Sequence, residues 1–488
     1  MKKSLFLFFI ILTPILSWAQ NISLTHSGTL YDASENPVQK SFQIDLSRKY
    51  QVTMLPAINV FIYFKGDATN SFKNLLINKT LIGADFSKVT LGNANSNQIN
   101  LNGNLYLFNY RIFRTLDYNR ELGFSLQFKD EANGNITNET FALLDSYQNF
   151  KKSSYQDILN SNGYNQSYWQ LSVNYRENYN DKWAFGGKFS LLDGATYNKI
   201  DIQSSGIQIF SNNSFEVPLV GNYTSSFGRD SFTYKKILPD LRNMGAAISA
   251  GVSYTSKKGT YLTFNIKDLG FIHWSKKTSY YNFDNTIRVE NANSNDASSR
   301  FFSDFGKIMN NNESKKRFNS LIDTKLDFAA SKNFDFYTPV FVISKSVFNQ
   351  NGQIALLNNL RRNAFVFSFN QIYDFRTLWN FGSQILIQSA NAEFYLGSES
   401  IFPSSQLAKS YFKKDLNSAG NSKANFYLGL NVKFGRKMQT IGNADEIPGL
   451  NDEETGFVVR LSKKDKRAAQ KKAKQIKTRR KKNNKRNN

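Results

Sequence analysis

Two histidines, His26 and His273, are the first residues in this chain to weigh for chemistry. His273 lies in the stretch KDLGFIHWSKK (267–277), with Asp268 and Ser275 close by, the three side-chain types of a hydrolytic triad. Successive side chains of a strand point to opposite faces, and an odd number of steps separates Asp268 from His273, so the two would not converge. His273 is therefore read as a histidine at an interface. No HExxH, Walker or GxGxxG pattern is present, and two isolated histidines make a poor metal site. The absence of cysteine excludes disulfides, thiolate catalysis and Cys-ligated metals. Asp445, Glu446, Asp452, Glu453 and Glu454 crowd into 443–456, but without the regular oxygen spacing that calcium wants, so they read as a solvated linker. The expectation is a protein with no catalytic residue, no cofactor and no metal, and not an enzyme.

The elements around these residues say more. Lys2 and Lys3 precede a mostly apolar run from Leu5 to Leu16, followed by Ser17-Trp18-Ala19-Gln20. A charged start, a short apolar core and small residues before a cleavage point make a secretory signal peptide, expected over residues 1–19. The run is too short to span a bilayer as a helix, which takes about 20 residues. At the other end, fifteen Lys and Arg stand against one Asp from Arg460 onward. Of the formal +24, this tail carries +14 and Lys2 and Lys3 two more, which leaves +8 for residues 21–459. The charge belongs to a tail over a mildly basic body.

That body is dominated by period-two alternation. Phe42, Ile44 and Leu46 alternate with polar residues, as do Ile99, Leu101, Leu105 and Leu107. Leu122, Phe124, Leu126 and Phe128 repeat the pattern, then Trp169, Leu171, Val173 and Tyr175, and finally Phe426, Leu428, Leu430, Val432 and Phe434. A soluble sandwich and a transmembrane barrel both produce such strands. Sandwich strands average about five or six residues, whereas membrane strands need about 9–11. Segments of the longer kind, 43 Phe and 24 Tyr, and an export signal favour the barrel. The expected architecture is all-β, a transmembrane antiparallel barrel of about 14 strands (range about 12–16) over residues 20–436. A 437–462 acidic linker with a possible short strand follows, then a disordered polybasic tail over 463–488.

Within that reading, Ser256–Gly259 is a turn between the alternating strands that carry Ile248, Ala250, Val252, Tyr254 and Leu262, Phe264, Ile266. Phe271, Trp274, Tyr280 and Tyr281, laced with Lys276 and Lys277, are expected at a membrane-water interface, as an aromatic girdle where a strand leaves the bilayer. Phe426, Leu428, Leu430, Val432 and Phe434 are expected to face lipid. Asp284–Lys316 and Ala132–Gly163 read as extracellular loops, the second with an amphipathic helix around Phe141–Phe150. Ala68–Val89 is expected to form a plug or a short helix inside the lumen.

The chain resembles the Bacteroidota outer-membrane barrels grouped as a domain of unknown function, and more distantly the fatty-acid-transporter and PorV barrels. The resemblance is carried by SENPVQKSFQIDL (34–46), with its Asn-Pro element, and by DKWAFGGKFSLLDGATYNKIDIQSSGIQI (181–209). GAAISAGVSYTSKKGTYLTFNIKDLGFIHW (245–274) matches most specifically, and NAEFYLGSES and LNVKFGRK look like the last strands. It spans about residues 22–436 and implies an outer-membrane barrel without supplying an activity.

Two functions stay open. One is a non-enzymatic conduit in the outer membrane, for small (hydrophobic) molecules. The other is a barrel scaffold or partner in secretion or envelope assembly machinery. A plugged or packed lumen is the sign expected of the scaffold, and an open polar lumen that of the conduit. The expected partners are outer-membrane lipid and an envelope protein. Lys471, Lys472, Arg479, Arg480, Lys481 and Lys482 of the tail would meet a periplasmic anionic polymer or anionic lipid, with a partnerless solvated extension as the competing reading. In an exported protein, nucleic acid is not expected.

Overall fold

A computed structural model describes residues 28–40, 48–78, 86, 89–115, 120–227, 236–294, 296–311, 313–349, 351–376, 378–413, 422–439 and 457–458. Fourteen strands, each antiparallel to the next, close into a barrel. In chain order they are β1 (Arg48–Lys65), β2 (Ser96–Thr115), β3 (Arg120–Thr137), β4 (Asn162–Asn178), β5 (Trp183–Phe210), β6 (Met244–Thr255) and β7 (Thr260–Trp274). They continue as β8 (Lys325–Lys332), β9 (Tyr337–Ser346), β10 (Gly352–Arg362), β11 (Phe365–Asp374), β12 (Leu378–Gln388), β13 (Ala392–Ser398) and β14 (Ser422–Gln439). β14 pairs with β1, Val432 opposite Val52 and Phe426 opposite Val60, so the barrel has no free edge.

Alternation decides which side chains go where. Leu171 and Val173 on β4, Phe189 and Leu191 on β5, Phe367 on β11 and Ile385 on β12 are exposed on the outer face. Between them, Gln170, Ser172, Ser190, Ser368 and Gln384 point inward and are buried. On these strands the apolar phase lies outside and much of the inward phase is polar, the reverse of a soluble core. Val340 and Val342 on β9 and Ala355 and Leu357 on β10, by contrast, give the inward face an apolar patch. Pro56 has no N–H to give a ladder, and it sits where β1 slips in register against both neighbours, leaving Met54 and Leu55 exposed.

The two ends differ. At the end where β1 starts and β14 finishes, the turns are short, two to four residues, and the expected turn at Ser256–Gly259 is among them. At the opposite end lie every long connection and the helices α2 (Thr69–Asn78), α3 (Asn138–Asp145), α4 (Ala297–Asn311) and α5 (Ile401–Lys413). Here β5 passes beyond its partner β6. Its second half pairs with a strand Ser214–Ser225, which pairs in turn with Ser279–Val289, and so builds a crown. Phe64, Phe72, Phe141, Phe215, Phe283 and Phe301 belong to one apolar cluster beneath it, with Phe64 and Phe72 stacked at 4.4 Å.

Two expected loops are therefore structured. Asp284–Lys316 begins as a crown strand and carries α4, because Ile287 and Val289 bury against the cluster. The helix expected around Phe141–Phe150 is α3 followed by a 3-10 turn at Tyr147–Asn149. Ala68–Val89 contributes α2 to the crown, where Phe72 packs; the lumen is filled by a different segment. The alternating residues 42–46, the expected signal peptide and nearly all of the C-terminal extension lie outside the described residues. Within 437–462, Phe457–Val458 forms a two-residue strand parallel to Met438–Gln439.

Candidate functional site

The lumen is occupied by the chain's own residues 28–40. Thr29 caps a short helix, α1 (Leu30–Glu35), by accepting a hydrogen bond from the Asp32 amide at 3.1 Å, and Leu30 to Ser34 are buried. The segment is bound to the wall on several sides. Leu30 donates its amide to Glu393 on β13 at 2.7 Å, and Gln388 on β12 donates to the Gly28 carbonyl at 3.0 Å. On the other side Ser34 donates to Asn109 on β2 at 2.8 Å, and Asn59 on β1 donates to the Tyr31 hydroxyl at 2.9 Å. Beyond the helix, Arg176 on β4 donates to the Val38 carbonyl at 2.7 Å.

Glu35 ends the helix in a polar seat. Its Oε1 accepts from Asn104 Nδ2 at 2.5 Å and from the Tyr106 hydroxyl at 2.7 Å, both on β2. Burial alone would raise this carboxyl, but the fields of Lys129, Lys188 and Lys267 outweigh it and bring the group to about 2. The wall behind the seat is a chain of buried ion pairs. Asp268 binds Lys129 at 2.5 Å and Lys188 at 2.9 Å, and Lys267 binds Asp327 at 2.5 Å. Asp268 reaches the lumen through a bulge, where its φ of +52° resets the alternation of β7. Farther along, Glu121 lies 2.8 Å from Arg111 and 3.8 Å from Arg176, and Lys433 lies 3.2 Å from Glu393. A small polar cavity nearer the crown is lined by Gln353, Asp374, Arg376, Glu399 and Lys423, among others.

The expected interface residues do not gather in one place. Phe271 is exposed on the outer face, but Trp274 is fully buried, donating Nε1 to Ser320 Oγ at 2.7 Å and lying against Tyr197 and Phe318. Tyr281 is buried in the crown cluster, and Tyr280 is half-buried beneath Lys316. The girdle reading is corrected for Trp274 and Tyr281. Parity past the Asp268 bulge turns residue 274 inward, and the crown covers residue 281. Aromatic rings do collect on the outer face at the barrel's ends. Tyr50, Tyr110 and Phe434 stack at one end, with Trp183 against Tyr254, and Tyr373 packs on Trp379 at the other.

His273 is exposed, with Nδ1 2.7 Å from Asn319 Oδ1, and Asp268 lies on the opposite face, as parity requires. Phe426 and Phe434 are exposed, and Leu428, Leu430 and Val432 are half-exposed on the same outer face of β14. Lys471, Lys472, Arg479, Arg480, Lys481 and Lys482 lie outside the described residues. Among those described, no cluster of three His, Asp or Glu could hold a metal. Sequence reasoning missed Glu35 and its seat. The available signals were the Asn36-Pro37 break after a short polar helix, and the lysines and aspartates in the inward phase of strands with apolar outer faces.

The profile of the Family of unknown function (DUF5723) matches residues 42–399. No curated protein sequence matches the chain. Among solved structures, the TodX deltaS2S3 mutant monoaromatic hydrocarbon channel is 9% identical, with 86% of this chain and 95% of that chain covered and a TM-score of 0.42. The Pseudomonas putida toluene transporter TodX is 8% identical over 86% of this chain and 93% of that one, with a TM-score of 0.38. The ferric-catecholate import receptor Fiu from K12 E. coli is 8% identical over 70% and 55%, with a TM-score of 0.20.

Proposed function

Since the chain belongs to that family, whose function is unknown, its role must be read from its geometry, and we propose a gated, non-enzymatic conduit for small molecules in an outer membrane, with residues 28–40 as the gate. A closed barrel satisfies every ladder group internally and suits a bilayer. The apolar outer face, the aromatic rings at both ends, and short turns opposite long connections support that setting.

One observation carries the gate: a separate segment sits in the lumen, held by hydrogen bonds to the wall and by the packing of Tyr31 against Tyr106 and Tyr395. Barrels of about eight strands are filled by their own side chains, and larger ones enclose more space than their walls fill. A plug hydrogen-bonded to a polar wall can leave, because water replaces each bond and the net cost is about 0.5–1.5 kcal/mol apiece. Around residues 28–40 the lumen offers amides, hydroxyls and paired ions, which suits small polar solutes. The inward-facing Val340, Val342, Ala355 and Leu357 give one side of it an apolar lining that suits the hydrophobic cargo expected from the sequence.

The occlusion itself favours a second reading, a barrel scaffold or partner in secretion or envelope assembly. Planar bilayers separate the two. The full chain should be closed or flickering, and a chain lacking residues 28–40 should conduct steadily. If the deletion folds and stays closed, the conduit reading fails and the scaffold stands.

A further inference from the structure

We infer that the seat of Glu35 is a binding site for the anionic group of the conducted solute, and that a solute carboxylate or phosphate taking Glu35's place releases the plug. The inference rests on the conduit reading and deepens it. The charges that act most on Glu35 are the cations Lys129, Lys188 and Lys267, followed by the anion Asp268; Lys267 is itself bound to Asp327, and Lys129 also feels Glu131. The cations prevail at this position, and Glu35 is the anion they favour.

Withdrawing the plug alone would take that anion away from the lysines. Asp268 is already committed to two lysines, and it also accepts from Gln170 Nε2 at 3.0 Å. Asp327 is committed to Lys267 and accepts from Ser344 at 2.5 Å. Each wall carboxylate is thus already engaged, and neither is free to take Glu35's place.

The neutral groups of the seat point the same way. Asn104 Nδ2 and the Tyr106 hydroxyl both donate to the carboxylate, so an incomer must accept two hydrogen bonds and bring negative charge. A cation meets three lysines, and a neutral acceptor brings them no charge. An anionic oxygen satisfies both demands, as Glu35 Oε1 does now.

The chain has no cysteine, so a single one reports on the plug. Val38 is buried, and a Val38→Cys variant in lipid vesicles should react slowly with uncharged N-ethylmaleimide. At fixed sodium chloride, sodium acetate or inorganic phosphate should raise the labelling rate several-fold with saturation, while matched acetamide should not. Response to one anion and not the other assigns the class as carboxylate or phosphate. Adding Glu35→Gln keeps the side-chain shape, removes the competing charge, and should lower the anion concentration needed for half-maximal labelling. Lys267→Gln should raise it, provided heat-modifiable migration shows a folded barrel. Labelling that ignores both anions, or follows acetamide equally, overturns the inference. If the chain lacking 28–40 conducts while labelling ignores anions, the seat fails and the conduit stands; if that chain is closed, the conduit falls first.

Discussion

A β-carbon on Gly186 would stand 2.1 Å from the carbonyl oxygen of Pro37. The wall residue on β5 and the plug residue are thus in backbone contact, with no flexible side chain between them to yield. Glycine is needed here for close approach, and the requirement exists only while the plug is seated.

Gly186→Ala should therefore expel or loosen residues 28–40 while leaving the barrel's outer face intact. The expected result is a bilayer conductance resembling that of the chain lacking the segment, with unchanged heat-modifiable migration. Gly187→Ala is the control, because the nearest atom to its β-carbon would be the Ser249 carbonyl oxygen at 3.9 Å. Equal, closed behaviour of the two variants would show that the plug yields without opening a path.

Trp274 makes a second, independent prediction. Its ring lies so close to β5 that a β-carbon on Gly194 would be 2.7 Å from it, and its indole nitrogen is satisfied by Ser320. Trp274→Ala should cost about 3–5 kcal/mol, as for a buried aromatic, read by urea unfolding in vesicles. A residue merely resting at a membrane-water boundary would lose far less.

The contrast between Trp274 and Phe426 shows what was legible in the sequence. Strand phase was readable wherever alternation ran unbroken, as in Phe426 to Phe434, and segment length separated a barrel from a sandwich. At Trp274 the neighbours Lys276 and Lys277 suggested a headgroup level, but facing is set by the bulge at Asp268, which depends on a single positive-φ residue. Tyr281 was misread because its covering, the crown cluster, is assembled from segments as distant as Phe72 and Phe305. The plug escaped because α1 is six residues long and nearly all its side chains are buried against polar partners, so it has no amphipathic stripe to find.

Leu430 lies mid-strand on β14, opposite Leu55 on β1 and Phe394 on β13, with its side chain on the outer face. If that face meets hydrocarbon, Leu430→Arg should destabilise the barrel by about 2–4 kcal/mol, and arginine at Phe434, in the aromatic group near the strand end, by about 0–1 kcal/mol. Unfolding titrations in vesicles measure both. Equal small losses at the two positions would remove the lipid assignment.

The polybasic tail follows from the topology. With fourteen strands, Arg48 and Gln439 lie at the same end of the barrel, the one with short turns, so the C-terminal extension leaves where the N-terminal segment enters. For an exported barrel that end is periplasmic, which would bring Lys471, Lys472 and Arg479 to Lys482 close to inner-leaflet headgroups and soluble polyanions. Nearly free of apolar side chains, residues 463–488 have little surface to bury in the barrel. Deleting them should leave heat-modifiable migration and the conductance of the plug variants unchanged. It should also reduce binding of the full chain to vesicles containing phosphatidylglycerol, and that difference should shrink steeply with salt, because screening acts within about 8 Å at physiological ionic strength. A truncated chain that fails to fold would show the tail to be structural, and salt-insensitive vesicle binding would remove the electrostatic role. In intact cells the tail should resist added protease; ready cleavage there would place it on the opposite side and reverse the barrel's orientation.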